Sequence, residues 1–185
     1  MIKPSKFQVS IAAFALVSWG LAQLIMDDGQ HSDKKAEGAE YISKGYTKWQ
    51  MDEQGKLKNK LVAEEVVHYD DETTHTVKPI MFFYNDRTPP WVIRSETGVL
   101  LPDGNHLLLQ GKALITRNKD AKTKEAIINT SNLRVTIDTS YAETDEWAEL
   151  QSLPNITSGT GMKTVFADPI HIELLANVKG KYETK

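Results

Sequence analysis

The segment HLLLQGKALIT, residues 106–116, constrains the fold most, because it alternates with the two-residue period of a β-strand. Every second residue is apolar or small, and these residues share one face: Leu107, Leu109, Gly111, Ala113 and Ile115. The opposite face carries Gln110, Lys112 and Thr116. A strand with one apolar face must bury that face against another layer or a ligand. The pattern therefore predicts a fold built from one-sided strands.

Runs of strand composition continue along the chain and are separated by turn sequences such as DEQGK, PDGN and SGTG. Segment 61–69 also allows a helix, since Leu61, Glu65 and Val66 would share a helix face, but its neighbours favour a strand. Long antiparallel strands at this spacing predict an all-β sandwich, jelly roll or barrel. The predicted strands are 46–51, 57–69, 74–84, 91–101, 106–117, 126–138, 147–150, 155–166 and 170–182.

Residues 7–26, FQVSIAAFALVSWGLAQLIM, form an apolar run long enough to span a bilayer as a helix. Lysines precede this run and aspartates follow it, so the positive-inside rule places residues 1–6 in the cytoplasm. Gly20 and Ala22 are spaced like a signal-peptide cleavage site, which is the alternative. The apolar run continues through Met26, which favours a retained transmembrane helix.

The residues after the predicted transmembrane helix, which this orientation places outside the cytoplasm, divide into two regions of different composition. Residues 27–44 are polar and charged, which predicts a tether, and residues 45–185 then form one β domain. The formal net charge of −3 gives no electrostatic basis for nucleic-acid binding. The chain has no cysteine, which excludes disulfides, thiol catalysis and cysteine-bound metals.

The sequence contains no pattern typical of an enzyme, a metal site or a cofactor site. The five histidines lack the spacing of a zinc site, and the acidic residues between 64 and 72 lack the glycine and spaced ligands of a calcium loop. SGTG at 158–161 lacks the lysine and helix of a nucleotide-binding loop. We therefore predict no catalytic residues, no metal and no cofactor.

Six segments of the chain, which occur in the same order as in the family, resemble the LptC family, the inner-membrane-anchored component of lipopolysaccharide export in Gram-negative bacteria. These segments are GKLKNKLVAEEVVHY (55–69), KPIMFFYND (78–86), PPWVIRSETGVL (89–100), NHLLLQGKALIT (105–116), INTSNLRVTIDTSYAETD (128–145) and GMKTVFADPIHIEL (161–174). The resemblance covers essentially the whole chain. It implies a twisted, partly open antiparallel β jelly roll of the OstA/LptA type, preceded by one transmembrane α-helix. It also implies a single-pass protein of the cell inner membrane with its C-terminal domain in the periplasm.

The resemblance further implies a function and partners. Such a protein accepts lipopolysaccharide extracted by an ABC transporter built from LptB, LptF and LptG, and passes it to the periplasmic bridge protein LptA. Residues 46–51 are expected to meet the transporter's own jelly roll, and residues 170–182 to meet the bridge protein by β-augmentation. A scaffold that joins transporter to bridge without touching lipid is the alternative. An exported binding module for a soluble ligand is a third interpretation.

A lipid carrier needs a continuous apolar surface, because exposing acyl chains to water costs about 0.8 kcal/mol per CH₂. One face of the predicted strands supplies such a surface. The alternative for each residue is an ordinary packed core, and a shift of one residue in register would turn a strand's predicted residues to the other face. The residues predicted to line the lipid groove are Leu61, Ala63, Phe82, Tyr84, Trp91, Ile93, Leu107, Leu109, Leu133, Val135, Ile172 and Leu174.

Overall fold

The computed structural model describes residues 18–19 and 38–182. The chain divides into two compact units, Met1–Glu37 and Gly38–Lys185. Residues 38–182 contain 11 strands of one antiparallel sheet and no helix, so the predicted all-β class is confirmed. The predicted transmembrane helix, residues 7–26, lies outside the described residues apart from Ser18 and Trp19, which are helical. In the described part of the chain, no helix has the length and apolar character needed to cross a bilayer.

The strands follow one another along the chain. Their bounds are β1 (Ala39–Met51), β2 (Leu57–Tyr69), β3 (Thr74–Val77), β4 (Ile80–Phe83), β5 (Trp91–Leu100), β6 (His106–Arg117), β7 (Ala126–Ser131), β8 (Arg134–Thr136), β9 (Tyr141–Ser152), β10 (Asn155–Val165) and β11 (His171–Lys181). Seven of the nine predicted segments contain a strand, and the other two, 46–51 and 147–150, lie inside the longer strands β1 and β9. β2 excludes the helical alternative for 61–69. The segments 74–84 and 126–138 are each divided into two strands. β1 begins at Ala39, inside the predicted tether.

Pairing is antiparallel throughout and follows the order β1-β2-β3-β5-β6-β7-β9-β10-β11. β4 pairs with β2 and β5, as β3 does, so β3 and β4 occupy successive parts of one position in the sheet. β7 and β8 share the position between β6 and β9 in the same way. In the described residues β1 pairs only with β2 and β11 only with β10, so these two strands are the edges.

A row of irregular backbone positions, called the bulge row below, crosses the sheet at one level. Its members have positive φ: Gly45, Lys78, Gly111, Asn132, Gly161 and Asn177. The pairing register shifts beside this row, between Ser95 and Thr97 in β5 and between Thr160 and Met162 in β10. A β-bulge bends its strand and increases the local twist. The long strands therefore change direction where they cross the bulge row.

Gly111 illustrates how the bend keeps its backbone groups paired. Its φ of 73° lies in the left-handed region that glycine adopts without steric cost. The Gly111 carbonyl accepts from the Asn132 N–H at 2.8 Å, and the Gly111 N–H donates to Asn132 Oδ1 at 3.0 Å. Ser95 Oγ lies 3.0 Å from the Gln110 carbonyl oxygen and 2.9 Å from that of Lys112, on either side of the glycine. Side chains thus replace ladder bonds that the bulge removes.

The bulge row divides the sheet into two layers whose inner faces pack together. The first layer contains β4 and β7, the second contains β3 and β8, and the long strands contribute to both. Phe166 directly follows β10 in the second layer and stacks on Phe83 of the first layer, with ring centroids 5.4 Å apart. Buried residues of both layers form one core: Leu61, Met81, Phe83, Trp91, Ile93, Leu100, Leu107, Leu109, Ala113, Ile115, Ala126, Ile128, Leu133, Val135, Ile137, Ala142, Ala148, Met162 and Phe166.

We expect the substitution Gly98→Val to test the packing of the inner face. A Cβ at Gly98 would lie 3.0 Å from Thr76 Oγ1 and 3.1 Å from Leu109 Cδ2, so a larger side chain must displace its neighbours. Overpacking of this kind lowers the free energy of unfolding by about 1–3 kcal/mol, which urea unfolding would measure. Thr97→Val, at the exposed position beside it, is the control and should change stability by less than about 0.5 kcal/mol. Equal effects at both positions would contradict a packed inner face.

Candidate functional site

The structure brings most of the residues predicted for the apolar groove together in one interior. Seven of them belong to the buried core: Leu61, Trp91, Ile93, Leu107, Leu109, Leu133 and Val135. Ile172 and Leu174, on edge strand β11, are half-buried and pack against that core. Ala63 is buried on β2 close to the bulge row. These residues come from both layers, so the folding of the sheet assembles the interior.

Phe82 and Tyr84 are the exceptions, because they lie on the opposite face. Met81 and Phe83 are the fully buried residues of β4, so the inner face of this strand is displaced by one residue from the predicted one. Phe82 is half-buried, and its ring stacks on that of Tyr84 with centroids 6.2 Å apart. In the run IMFF every position is apolar, so alternation does not reveal which face is inner. The assignment of these two residues to the inner face was therefore wrong.

Several of the largest interior side chains were absent from the predicted groove. They include Met81, Phe83, Ile115, Ile128, Met162 and Phe166. Ile115 shares the inner face of β6 with Leu107 and Leu109, so the alternation of that strand already identified its face. Phe166 lies in the turn after β10, where no periodic pattern marks a residue as buried. Contacts between layers place it in the core.

The inner faces of the two layers are in close contact. Phe83, Ile93, Leu107, Leu133 and Phe166 each have 0% exposure. A cavity of about 670 Å³ lies instead on the outer face beside the bulge row, lined by residues that include Arg94, Leu114 and Trp147. The residues predicted to bind lipid are thus core side chains in this conformation.

Two ionisable side chains border the interior at its rim. Tyr46 of β1 packs against the core, and burial raises the pKa of its hydroxyl above the usual range. Arg117, at the end of β6, lies over the ring of Trp91 with its guanidinium carbon 4.8 Å from the ring centroid. Desolvation by burial lowers the pKa of Arg117. Because arginine normally titrates above pH 12, this guanidinium remains charged at neutral pH beside an apolar interior.

The outer face of the second layer has the opposite character. Arg134 Nε donates to Glu143 Oε1 at 3.1 Å and its Nη1 donates to Asp145 Oδ2 at 2.9 Å. The Tyr141 hydroxyl donates to Glu143 Oε2 at 2.7 Å, and burial together with this carboxylate raises the pKa of Tyr141 to about 12. The sheet is therefore apolar on the inside and carries networks of charged groups on the outside.

Within the described residues, the two edge strands expose apolar side chains and pair with one neighbouring strand each. Tyr41, Trp49 and Met51 are exposed on β1, and Leu175 and Val178 are exposed on β11. The free N–H and C=O groups of an edge strand are a template for pairing with a strand of another chain. Each end of the sheet therefore has the chemistry of a protein interface.

Paired substitutions in β4 test which face is inner. We expect Phe83→Ala to lower the free energy of unfolding by about 3–5 kcal/mol, because it leaves a cavity in the core. Phe82→Ala, the matched control, removes a half-buried ring from the outer face and should lower stability by less than about 1.5 kcal/mol. Chemical denaturation of both variants measures the difference. A larger loss for Phe82→Ala would restore the face that the sequence predicted.

Comparison with known families adds an independent finding. A family model described as "Lipopolysaccharide-assembly, LptC-related" matches residues 10–183 of the chain. A comparison with curated proteins finds no match. The matched range includes the whole described β domain and every residue predicted for the groove.

Proposed function

Because the chain belongs to the LptC-related lipopolysaccharide-assembly family, we propose that it relays lipopolysaccharide from the inner to the outer membrane. In this proposal it accepts lipopolysaccharide extracted by the ABC transporter formed by LptB, LptF and LptG. It then passes the lipid to the periplasmic bridge protein LptA. Family membership itself implies involvement in lipopolysaccharide transport.

The continuity of the apolar inner face is the observation that carries the relay proposal. This face extends from Tyr46 on edge strand β1 to Ile172 and Leu174 on edge strand β11. The sheet has nine strand positions from edge to edge, and the eight spacings between them, at about 4.8 Å each, give a path of roughly 38 Å along the sheet. A methylene buried along such a path contributes about 0.8 kcal/mol relative to water. An apolar path that reaches both edges suits a lipid that moves along the sheet from the β1 side to the β11 side.

We propose a partly open β jelly roll as the architecture and the inner membrane as the location. The partly open jelly roll is supported by the two layers, because the strands connect these layers at the bulge row and not on the opposite side. The apolar run 7–26 supports a transmembrane helix, with residues 1–6 in the cytoplasm and the β domain in the periplasm. Since β1 begins at Ala39, the proposed tether is shorter than residues 27–44.

The proposed partners meet the two edges of the sheet. β11 pairs with a strand of LptA by β-augmentation, which its exposed backbone and apolar side chains support. Residues 46–51 of β1 meet the jelly roll of the transporter. This assignment is supported by the position of β1 directly after the proposed tether, because a short tether would hold the β1 edge close to the membrane.

The close contact of the two inner faces favours a second candidate function. A chain whose interior is filled by its own side chains joins transporter to bridge as a scaffold without sheltering lipid. In that case Leu107 and Leu109 serve the stability of the domain alone. The two functions differ in whether lipid reaches these side chains during transport.

Photo-crosslinking from an inner and an outer position distinguishes the two functions. We expect a crosslinking residue at Leu109 to form lipopolysaccharide adducts in membranes that contain the full transporter and ATP, because Leu109 lies on the inner face. The same residue at Tyr84 is the matched control and should form none, because Tyr84 lies on the outer face of the first layer. Lipid-free results at Leu109, Leu107 and Ile93 together would favour the scaffold.

A further inference from the structure

The two layers meet opposite the bulge row at a contact that we call the mouth, formed by Phe83, Trp91 and Phe166. Phe83 ends β4, Trp91 begins β5 and Phe166 follows β10, so all three lie at strand ends far from the bulge row. The Phe166 ring lies 5.4 Å from the ring of Phe83 and 5.3 Å from that of Trp91, measured between centroids. One side chain of the second layer thus fills the gap between two strand ends of the first layer.

Polar contacts flank these rings at the surface. Arg87 Nη1 lies 3.4 Å from Asp168 Oδ2, and these residues belong to the two turns that hold the rings. Farther along the gap, Gln50 Nε2 donates to Asp138 Oδ1 at 2.7 Å, and Lys58 Nζ donates to the Asp138 carbonyl at 2.6 Å. Exposed pairs of this kind contribute little stability. The layers are therefore held together at the mouth mainly by Phe166, whereas covalent strands hold them at the bulge row.

Buried polar atoms without a partner concentrate at this end of the sheet. Asn85 Nδ2, Trp91 Nε1 and Arg117 Nε are buried donors without a hydrogen-bond acceptor in the described structure, and Thr164 Oγ1 is also unpartnered. Trp91 pairs with Arg117 across β5 and β6, and Thr164 precedes Phe166 by two residues on β10. Buried donors in native proteins nearly always have an acceptor. Three such donors lie beside this contact between layers, where they can donate to an oxygen-bearing group.

We propose that the mouth is the entrance to the interior, that Phe166 withdraws to admit acyl chains, and that oxygen atoms of the lipid head group accept hydrogen bonds from Trp91 and Arg117. This inference rests on the proposed function, because it specifies how lipid reaches the interior. The apolar chains replace the Phe166 ring against Phe83 and Trp91. The charged guanidinium of Arg117 favours an anionic head group, such as a phosphate, over a neutral one.

A cleavable crosslink across the mouth tests the entrance. The full chain with Arg87→Cys and Asp168→Cys is coupled by a bifunctional maleimide whose spacer is cleaved by reduction, and the natural chain contributes no other thiol. A photo-crosslinking residue at Leu107 then reports lipopolysaccharide in membranes with the transporter and ATP. We expect coupling to reduce adduct formation at least fivefold, and reduction of the spacer to restore it. The control pair Asn129→Cys and Glu149→Cys joins neighbouring strands within the first layer, and its coupling should leave adduct formation unchanged.

The outcomes separate this proposal from the function on which it rests. Equal adduct formation with the mouth coupled and uncoupled would overturn the entrance and leave the relay standing. The absence of adducts in the uncoupled protein and in the unsubstituted chain would overturn the relay itself. Loss of adducts in the control pair as well would overturn the entrance, because the effect would then not be specific to the mouth.

The head-group contact has its own test, with phosphatidic acid and a diacylglycerol of the same acyl chains as probes in detergent micelles. Trp91→Phe and Arg117→Gln each remove one unpaired donor, and Trp147→Phe makes the same change as Trp91→Phe at an exposed tryptophan outside the proposed interfaces. We expect the ratio of phosphatidic acid to diacylglycerol adducts at Leu107 to fall severalfold in the first two variants and to remain unchanged in the third. A loss of folding would reduce both adducts and leave their ratio intact. An unchanged ratio in Trp91→Phe and Arg117→Gln proteins that still form both adducts in full yield would overturn the head-group contact.

Discussion

A sheet whose strands are apolar on one face is stable in water only when that face is covered, and here the sheet covers itself. The bulge row makes this possible, because it bends strands at one level and brings the two halves of a single sheet into contact. The hydrogen bonds of Asn132 and Ser95 around Gly111 keep backbone groups satisfied at the bend. The core and the mouth both follow from this bend. A straight sheet of the same strands would expose the residues that now form the interior.

The sequence predicted strand positions well because alternation is a local property. β6 and β2 each carry their period in consecutive residues, and turn sequences mark their ends. Local signals were insufficient where the fold depends on contacts between layers. The segments 74–84 and 126–138 each read as one strand, yet Lys78 and Asn132 interrupt them at the bulge row. A positive φ at a lysine is not encoded by its residue type, and the neighbouring strands impose it.

The candidate site shows the same division between local and non-local information. Leu133 and Val135 were placed correctly on the inner face because polar residues flank them, and Leu107 and Leu109 because they continue the alternation of the whole of β6. Phe82 was misplaced because its whole strand is apolar, and the pairing of Met81 with Leu61 fixes the register instead. Phe166 has no periodic context, and its burial depends on Phe83 and Trp91, which lie far away in the sequence. The residue that closes the interior was therefore the one least accessible to sequence analysis.

A packed interior and a lipid-carrying interior are compatible when the two free energies are compared. A domain of this size has a folding free energy of about 5–15 kcal/mol, so separation of the layers without a ligand is strongly unfavourable. One acyl chain of about 12 methylenes contributes roughly 10 kcal/mol when it leaves water, at about 0.8 kcal/mol per methylene. In the proposed relay, acyl chains that enter the interior cover the inner faces of both layers, so these faces are not left exposed to water when the layers separate. In this proposal the closed state covers the apolar faces when no lipid is bound, and the mouth, held by one aromatic ring and exposed polar pairs, is where the layers separate.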